Sequence, residues 1–327
     1  MKILVLGGSG LFGRKIVSHL VRDKDVTSVV SMDVVPPPAW LIKSIQKDAG
    51  KFHFVSGSVA ELEEILSVIK IYSIDRIVNM AYILTGAFEQ NPRLAVKVNT
   101  LGMCNAFEAA RLMGIKRVVY ASSVGVYGSQ DEYGEREVNE DDIPHPMNAY
   151  GVSKQLCEML AAQYHDLYGI EFSAIRPFLG YGHGGAFPPI IKLFSDLVSL
   201  PAVGKPFKTE MDGAMPAALS SADDVAALAR LLIKAPSSPH PVYNIASKPT
   251  PMKDIAKAVR KYLPDARIEF GPPATITDEP PKGGLPGRAS MKRAKDDLGF
   301  SLMPLEESVL LHINDARLEA GLKPIKG

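Results

Sequence analysis

The feature that most constrains this chain is its first turn. A short apolar run, Ile3-Leu4-Val5-Leu6, gives way directly to Gly7-Gly8-Ser9-Gly10-Leu11-Phe12-Gly13 and then to a helical pattern. Glycines at spacings of three between a strand and a helix let backbone N–H groups and the helix N-terminus face outward together, which makes a cradle for a pyrophosphate. Asp33 ends the second apolar run, about twenty residues further on. A carboxylate there can accept hydrogen bonds from a ribose diol and repel a 2'-phosphate, so the expected ligand is NAD rather than NADP.

The rest of the first half keeps the same rhythm. Strands are expected at Ile3 to Leu6, Val26 to Met32, Lys51 to Val55, Arg76 to Met80, Arg117 to Ala121 and Glu171 to Ile175, with Val242 to Ile245 as a later member. Helical patterns fill the gaps, the longest running from Asn91 to Gly114 and from Ala149 to Tyr168, where Gly169 stops it. This alternation predicts an α/β fold, a Rossmann-type doubly wound parallel sheet. After Pro177 glycine and proline become frequent, between Leu179 and Pro189 and again between Gly271 and Gly287. Loops that close over a site have this composition. Residues 1–178 with about 221–247 are therefore expected to form the NAD-binding domain, and about 179–220 with 248–327 a smaller C-terminal substrate-binding lobe.

Bulk properties narrow the partners. The 327 residues are 46% hydrophobic with a formal net charge of +1, enough apolar content for a full core and no basic stretch to attract nucleic acid or an anionic membrane. A small molecule is the expected partner, and no metal-ligand pattern is present. Only Cys104 and Cys157 occur, far apart and within helical patterns, so both read as buried spectators in a reducing compartment, the cytoplasm. The N-terminal apolar run is too short for a signal peptide or a membrane span. The two long helical patterns carry apolar residues on more than one face, so a homodimer built on them is expected.

Chemistry enters with Tyr150-Gly151-Val152-Ser153-Lys154, the one Tyr-x-x-x-Lys spacing offered by the chain's 11 tyrosines. Phenol and ammonium then sit one helical turn apart on one face. A neighbouring cation favours the phenolate, making the tyrosine a usable base, and the lysine can also bond a nicotinamide ribose. Ser122 and Ser123 close the fifth strand, at the sheet edge where open α/β folds bind ligands. Ser123 is the hydroxyl expected to help polarise a carbonyl.

These residues, with Val98-Asn99-Thr100, Ala121 to Gly128, Asn148-Ala149-Tyr150, Ile175-Arg176-Pro177, Gly287-Arg288 and Asp297-Leu298-Gly299-Phe300, resemble the NAD-dependent epimerase/dehydratase family of extended short-chain dehydrogenases over nearly the whole chain. The resemblance implies that Ser123, Tyr150 and Lys154 are catalytic, with Tyr150 as acid or base. It implies cofactor contacts from Gly7, Ser9, Gly10, Leu11, Phe12, Gly13, Asp33, Ser58, Val59, Met80, Ala81, Tyr82, Asn99, Tyr150, Lys154 and Pro177. Ser123, Phe178, Leu179 and Arg288 would meet substrate, Arg288 through a two-pronged contact to a carboxylate or phosphate. Tyr82, Phe178 and Phe187 are candidate aromatic walls.

Departures from the family pattern refine this. Val124 and Gly125 follow Ser123 where water-eliminating members carry an acidic pair, which argues against a 4,6-dehydratase. Leu179 replaces the asparagine with which nucleotide-sugar enzymes often hold their ligand, and Ser58 replaces an adenine-contacting aspartate. The leading expectation is an NAD(P)-dependent oxidoreductase moving hydride at a secondary alcohol or carbonyl carbon of a sugar-like or small hydroxy compound. The alternative is a nucleotide-sugar 4-epimerase of the UDP-hexose type with retained NAD. A non-catalytic NAD(P)-sensing regulator is the third reading.

Overall fold

The computed structural model describes residues 1–184, 188–273 and 285–327. Seven parallel strands form the central sheet: β1 (Lys2–Leu6), β2 (Ser28–Asp33), β3 (Phe52–Ser56), β4 (Arg76–Asn79), β5 (Arg117–Ala121), β6 (Glu171–Pro177) and β11 (Val242–Ile245), in the order β11-β6-β5-β4-β1-β2-β3. The order reverses between β1 and β4. At such a point helices leave on opposite faces, and a crevice opens at the carboxyl ends of the strands.

Each face of the sheet carries its own apolar core. On one, the glycine-turn helix Leu11–Val21 packs with helix Ala222–Lys234, burying Ile16, Val17, Leu20, Val225 and Leu232 against Ile3, Val5 and Val119. On the other, helices Leu62–Tyr72, Gly102–Met113 and Ala149–Tyr168 cover Leu4, Leu6, Val118 and Tyr120. Fully buried parallel strands are apolar on both faces, which is why these runs lack strict alternation.

A third cluster gathers Phe194, Leu197 and Val198 of helix Pro189–Ala202 with Ile255 and Val259 of helix Met252–Tyr262 and Val309 and Ile313 of helix Leu305–Glu319. Short strand pairs accompany it: β7 (Leu179–Tyr181) with β10 (Leu219–Ser221), β9 (Pro216–Ala217) with β12 (Thr250–Pro251), and β8 (Phe207–Asp212) with β13 (Ile268–Gly271).

Three local expectations are revised. The pattern from Asn91 to Gly114 is not one uniform α-helix: Pro92–Ala95 and Gly102–Met113 are α-helical, but Val96–Leu101 widens into a π-turn, a distortion frequent at functional sites. The second strand begins at Ser28 and runs through Asp33. Cys104 is only half-buried, its Sγ 3.5 Å from the Tyr164 hydroxyl, whereas Cys157 is buried; both are free thiols. Phe187, and most of the Gly271 to Gly287 stretch, lie outside the described residues. Among the described residues no helix is long and apolar enough to cross a membrane, and no His, Cys, Asp and Glu cluster suits a metal ion.

Candidate active site

The carboxyl ends of β1, β2, β4, β5 and β6 open into a cleft of about 840 Å³. Gly7 adopts φ +74°, and a Cβ there would stand 2.6 Å from the Ala81 nitrogen, so only glycine lets the turn approach the β4 exit. Gly13 is needed for a different approach: its Cβ would lie 2.0 Å from the Gly7 carbonyl oxygen. Gly10 is the N-cap of helix Leu11–Val21, no side chain caps that end, and a Cβ on Gly10 would meet only the Gly7 carbonyl, at 3.3 Å. The first N–H groups of the helix are left to whatever enters the cleft.

Asp33 completes the cradle. One carboxylate oxygen accepts the Ser9 N–H at 3.0 Å and the other the Val35 N–H at 3.1 Å, so the carboxylate is aimed before any ligand arrives. Exposed Val34 and Val35 follow it, and no Lys or Arg is among the described residues lining the cleft to receive a 2'-phosphate. Glycine turn, uncapped helix and oriented carboxylate together fit a nicotinamide dinucleotide.

Tyr150 enters the same cleft from the first turn of helix Ala149–Tyr168, whose N-cap Asn148 accepts the Gly151 N–H at 2.9 Å. The phenol is 7% exposed and shares the cleft with Ser123, which favours its ionised form. The Ser123 Oγ accepts the Gly125 N–H at 3.0 Å, which fixes its direction. Burial pushes Tyr150 up to about 12, only partly offset by Ser123.

Lys154 is buried one turn later. Its Nζ donates to the Ala121 carbonyl at 2.8 Å and lies 4.2 Å from the centroid of the Tyr82 ring, but 5.7 Å from that of Tyr150. Burial dominates both groups: it raises the Tyr150 phenol and drives Lys154 down to about 8.

The cleft brings together Gly7, Ser9, Gly10, Leu11, Phe12, Asp33, Ser58, Val59, Met80, Ala81, Tyr82, Ser123, Tyr150, Pro177, Phe178 and Leu179. Asn99 acts behind it. From the π-turn its side-chain amide accepts the Ile83 N–H at 2.7 Å and donates to the Ile83 carbonyl at 2.9 Å, pinning the loop after β4. Ser58 uses its Oγ to accept the Ala60 N–H and gives its own N–H to Glu64 at 2.7 Å.

Arg288 stands apart from the cleft wall, in an exposed pair with Glu135 at 2.8 Å. Sequence reasoning missed Ile83, Leu84, Thr85, Leu94, Ile190, Ile191 and Leu285, which also line the cleft. None belongs to a motif, and only the proximity of Ile83 and Leu84 to Tyr82 was a signal. It also missed Glu158, one turn beyond Lys154, which the helical spacing could have indicated.

A parallel seven-stranded sheet with a phosphate cradle at its switch point, beside a buried serine, tyrosine and lysine, defines a dinucleotide-dependent enzyme of the short-chain dehydrogenase type. The sequence profile of the NAD dependent epimerase/dehydratase family matches residues 3–246, and the chain belongs to that family, whose cofactor is NAD. It is 28% identical over 272 residues to an uncharacterised protein of Methanocaldococcus jannaschii, covering 80% of each chain. It is 26% identical over 228 residues to a UDP-glucuronate 4-epimerase of Thermodesulfobacterium geofontis, covering 68% of each. Among solved structures, a partial-consensus L-threonine 3-dehydrogenase superposes with a TM-score of 0.78 at 23% identity, over 98% of this chain and all of that one. A UDP-glucose 4-epimerase of Thermotoga maritima, solved with UDP-glucose, gives 0.74 at 21% identity over 97% and 99%.

Proposed function

We propose that the protein is an NAD-dependent dehydrogenase or reductase acting at a secondary alcohol or carbonyl carbon of a small hydroxy compound, with Tyr150 moving the hydroxyl proton. The observation that carries this reading is the buried Tyr150 phenol beside Ser123 inside the cleft that Gly10 and Asp33 also line. Bound NAD supplies the hydride acceptor or donor and, when oxidised, a positive ring near the phenol.

The chain's own residues supply the rest. Ser123, held by the Gly125 N–H, turns its hydroxyl to the Tyr150 oxygen during turnover and positions it for the substrate oxygen. Tyr150 takes the alcohol proton in oxidation and returns it in reduction. Lys154, anchored on Ala121, adds positive potential behind the site. The ring of Tyr150 packs with Phe88 and Ala95, and with Tyr82, Ile83 and Leu84, which exclude water from the proton transfer.

The roles of residues 179–220 and 248–327 as substrate lobe, and of Arg288 as a peripheral anion contact, belong to this proposal. So does a homodimer on helix Ala149–Tyr168, where Val152, Leu156 and Met159 are exposed at helical spacing, and so does residence in the cytoplasm.

One alternative has a specific observation behind it: curated relatives include UDP-sugar 4-epimerases, in which case NAD would stay bound between turnovers. Against it, Asp33 is the single charged side chain among the described residues lining the cleft, and none of those residues is a Lys or Arg that could meet a second diphosphate. Denaturing the purified protein and measuring released NAD(H) separates the two. Little release, with turnover lost in Tyr150→Phe, supports the dehydrogenase; stoichiometric release supports the epimerase. Unchanged turnover in Tyr150→Phe overturns both, and tight NAD binding without turnover of any hydroxy compound leaves the NAD-sensing regulator.

A further inference from the structure

The catalytic end of the cleft has a chemistry of its own. Ile83 and Leu84 pack against the Tyr150 cluster, Leu179 follows Phe178 at the β6 exit, and Ile190, Ile191 and Leu285 line the same cleft. Thr85 is the one polar side chain among the described lining residues that is not already on the cofactor cradle, at the β5 end with Ser122 and Ser123, or on the tyrosine pair Tyr82 and Tyr150.

Three of the apolar groups are not merely core. Leu94 is 46% exposed, Ile190 39% and Leu285 47%, large side chains that line the cleft and stay open to solvent. Exposed apolar groups converging on one concave site mark a surface built to be covered by an apolar ligand. The helix Pro189–Ala202 also starts here; its first residue is a proline, which has no N–H, and with no side-chain cap the N–H groups of Ile190 and Ile191 are the donors it offers. Among the described residues of this wall no charged or amide side chain is present, so a polyol, an amino acid or a nucleotide diphosphate would have only Thr85 and the Ile190 and Ile191 N–H groups to replace its hydration.

We infer that the substrate is an apolar secondary alcohol or ketone, a hydroxyl or carbonyl carbon carrying alkyl or aryl substituents, rather than a polyol, an amino acid or a sugar nucleotide. This rests on the reading of Tyr150 given above. In oxidation the carbinol C–H bond breaks and its electron pair leaves as hydride to nicotinamide C4. The O–H proton goes to Tyr150 and then to solvent, so alcohol and NAD⁺ become ketone, NADH and a proton.

The test uses the full chain with NAD and a series of 2-alkanols from 2-butanol to 2-octanol, beside 1-phenylethanol, L-threonine and UDP-glucose. The expected result is a rise in kcat/KM of about fourfold per added methylene, the factor that burying one CH₂ confers. In Leu179→Asn and Ile191→Asn that slope should flatten. Equilibrium binding of 2-octanone to the NADH-saturated chain should be tighter than that of UDP-glucose, a readout that does not depend on turnover. A preference for UDP-glucose or L-threonine in turnover or binding, or a slope of one, overturns the apolar assignment while leaving Tyr150 in place. Turnover that survives Tyr150→Phe instead overturns the reading on which it rests.

Discussion

Arg176 meets Glu158 in a two-pronged ion pair directly beneath the catalytic helix, with N–H···O contacts of 2.9 and 2.6 Å. The two side chains are 4% and 11% exposed. The pair ties the helix that carries Tyr150 and Lys154 to β6, whose next residue is Pro177. It extends on both sides: Ser122 donates to Glu158, and Arg176 donates to the Tyr127 hydroxyl at 2.6 Å, which donates to Asn244 at 2.9 Å. Burial works against the guanidinium charge, but Glu158 and Tyr127 outweigh it and hold Arg176 protonated. Removing Glu158 leaves that charge buried and unpaired, so Glu158→Ala should lose about 3–5 kcal/mol in urea denaturation. Loss below 1 kcal/mol would mean that solvent already reaches the pair.

Lys154 is expected to be a stability liability in the ligand-free chain. Its native value is depressed to about 8 while the unfolded chain keeps the ordinary lysine value, so at pH 9 the unfolded state holds a proton that the native state has lost. Stability therefore rises with pH through that window, and below it the buried ammonium costs roughly 3 kcal/mol. Replacing it with Met also forfeits the hydrogen bond to Ala121. Lys154→Met should thus be about 1–2 kcal/mol more stable at pH 7, the gap closing toward pH 10, while losing activity. Equal denaturation midpoints at both pH values would refute the buried-charge account.

Two glycines of the same turn should separate stability from cofactor binding. A Gly13→Ala methyl would collide with backbone at 2.0 Å, so the turn must open and a loss of roughly 2–3 kcal/mol is expected. A Gly10→Ala methyl meets only one carbonyl at 3.3 Å and otherwise points into the cleft. That variant should keep its melting temperature within a few degrees yet bind NAD at least tenfold more weakly by titration calorimetry. If both variants behaved alike, the helix N-terminus would not be where the pyrophosphate sits.

How far the sequence carries can be read from particular residues. The seven strands were legible because a parallel sheet buried on both faces demands unbroken apolar runs, and Gly7, Gly10, Gly13 and Asp33 because close approach leaves few residue types to choose from. Tyr150 was legible by its spacing from Lys154. The direction of its pKa was not, since desolvation depends on Phe88, Ala95 and Ile83 closing around the ring, contacts made across chain segments. The π-turn at Val96–Leu101 has no local signature, because it follows from Asn99 reaching back to Ile83. The apolar walls contributed by Leu94, Ile190 and Leu285 are three isolated residues until the fold collects them in one cleft.

Asp33 should decide between the two nicotinamide cofactors. It accepts the Ser9 and Val35 N–H groups, so its side chain is fixed on the cleft wall where a ribose hydroxyl pair would meet it. Asp33→Ser should lower kcat/KM for NAD by about tenfold, one lost charge-assisted hydrogen bond, and raise that for NADP. An unchanged ratio of the two would show that Val34 and Val35, rather than the carboxylate, set the preference.

The exposed stripe Val152, Leu156 and Met159 should be a subunit interface. These positions follow one face of the 20-residue helix Ala149–Tyr168, and Leu112 and Met113, at the end of the neighbouring helix, are also exposed. An apolar stripe along a helix face is costly to leave in water, and a second copy of the chain about a twofold axis would cover it. Light scattering should give twice the 35.4 kDa chain mass for the wild type, and the single mass for the double variant Leu156→Asp, Met159→Asp. Because the stripe faces away from the Tyr150 core, the variant should keep its fold by circular dichroism. A monomeric wild type would remove the interface altogether, and a dimeric double variant would move it to another face.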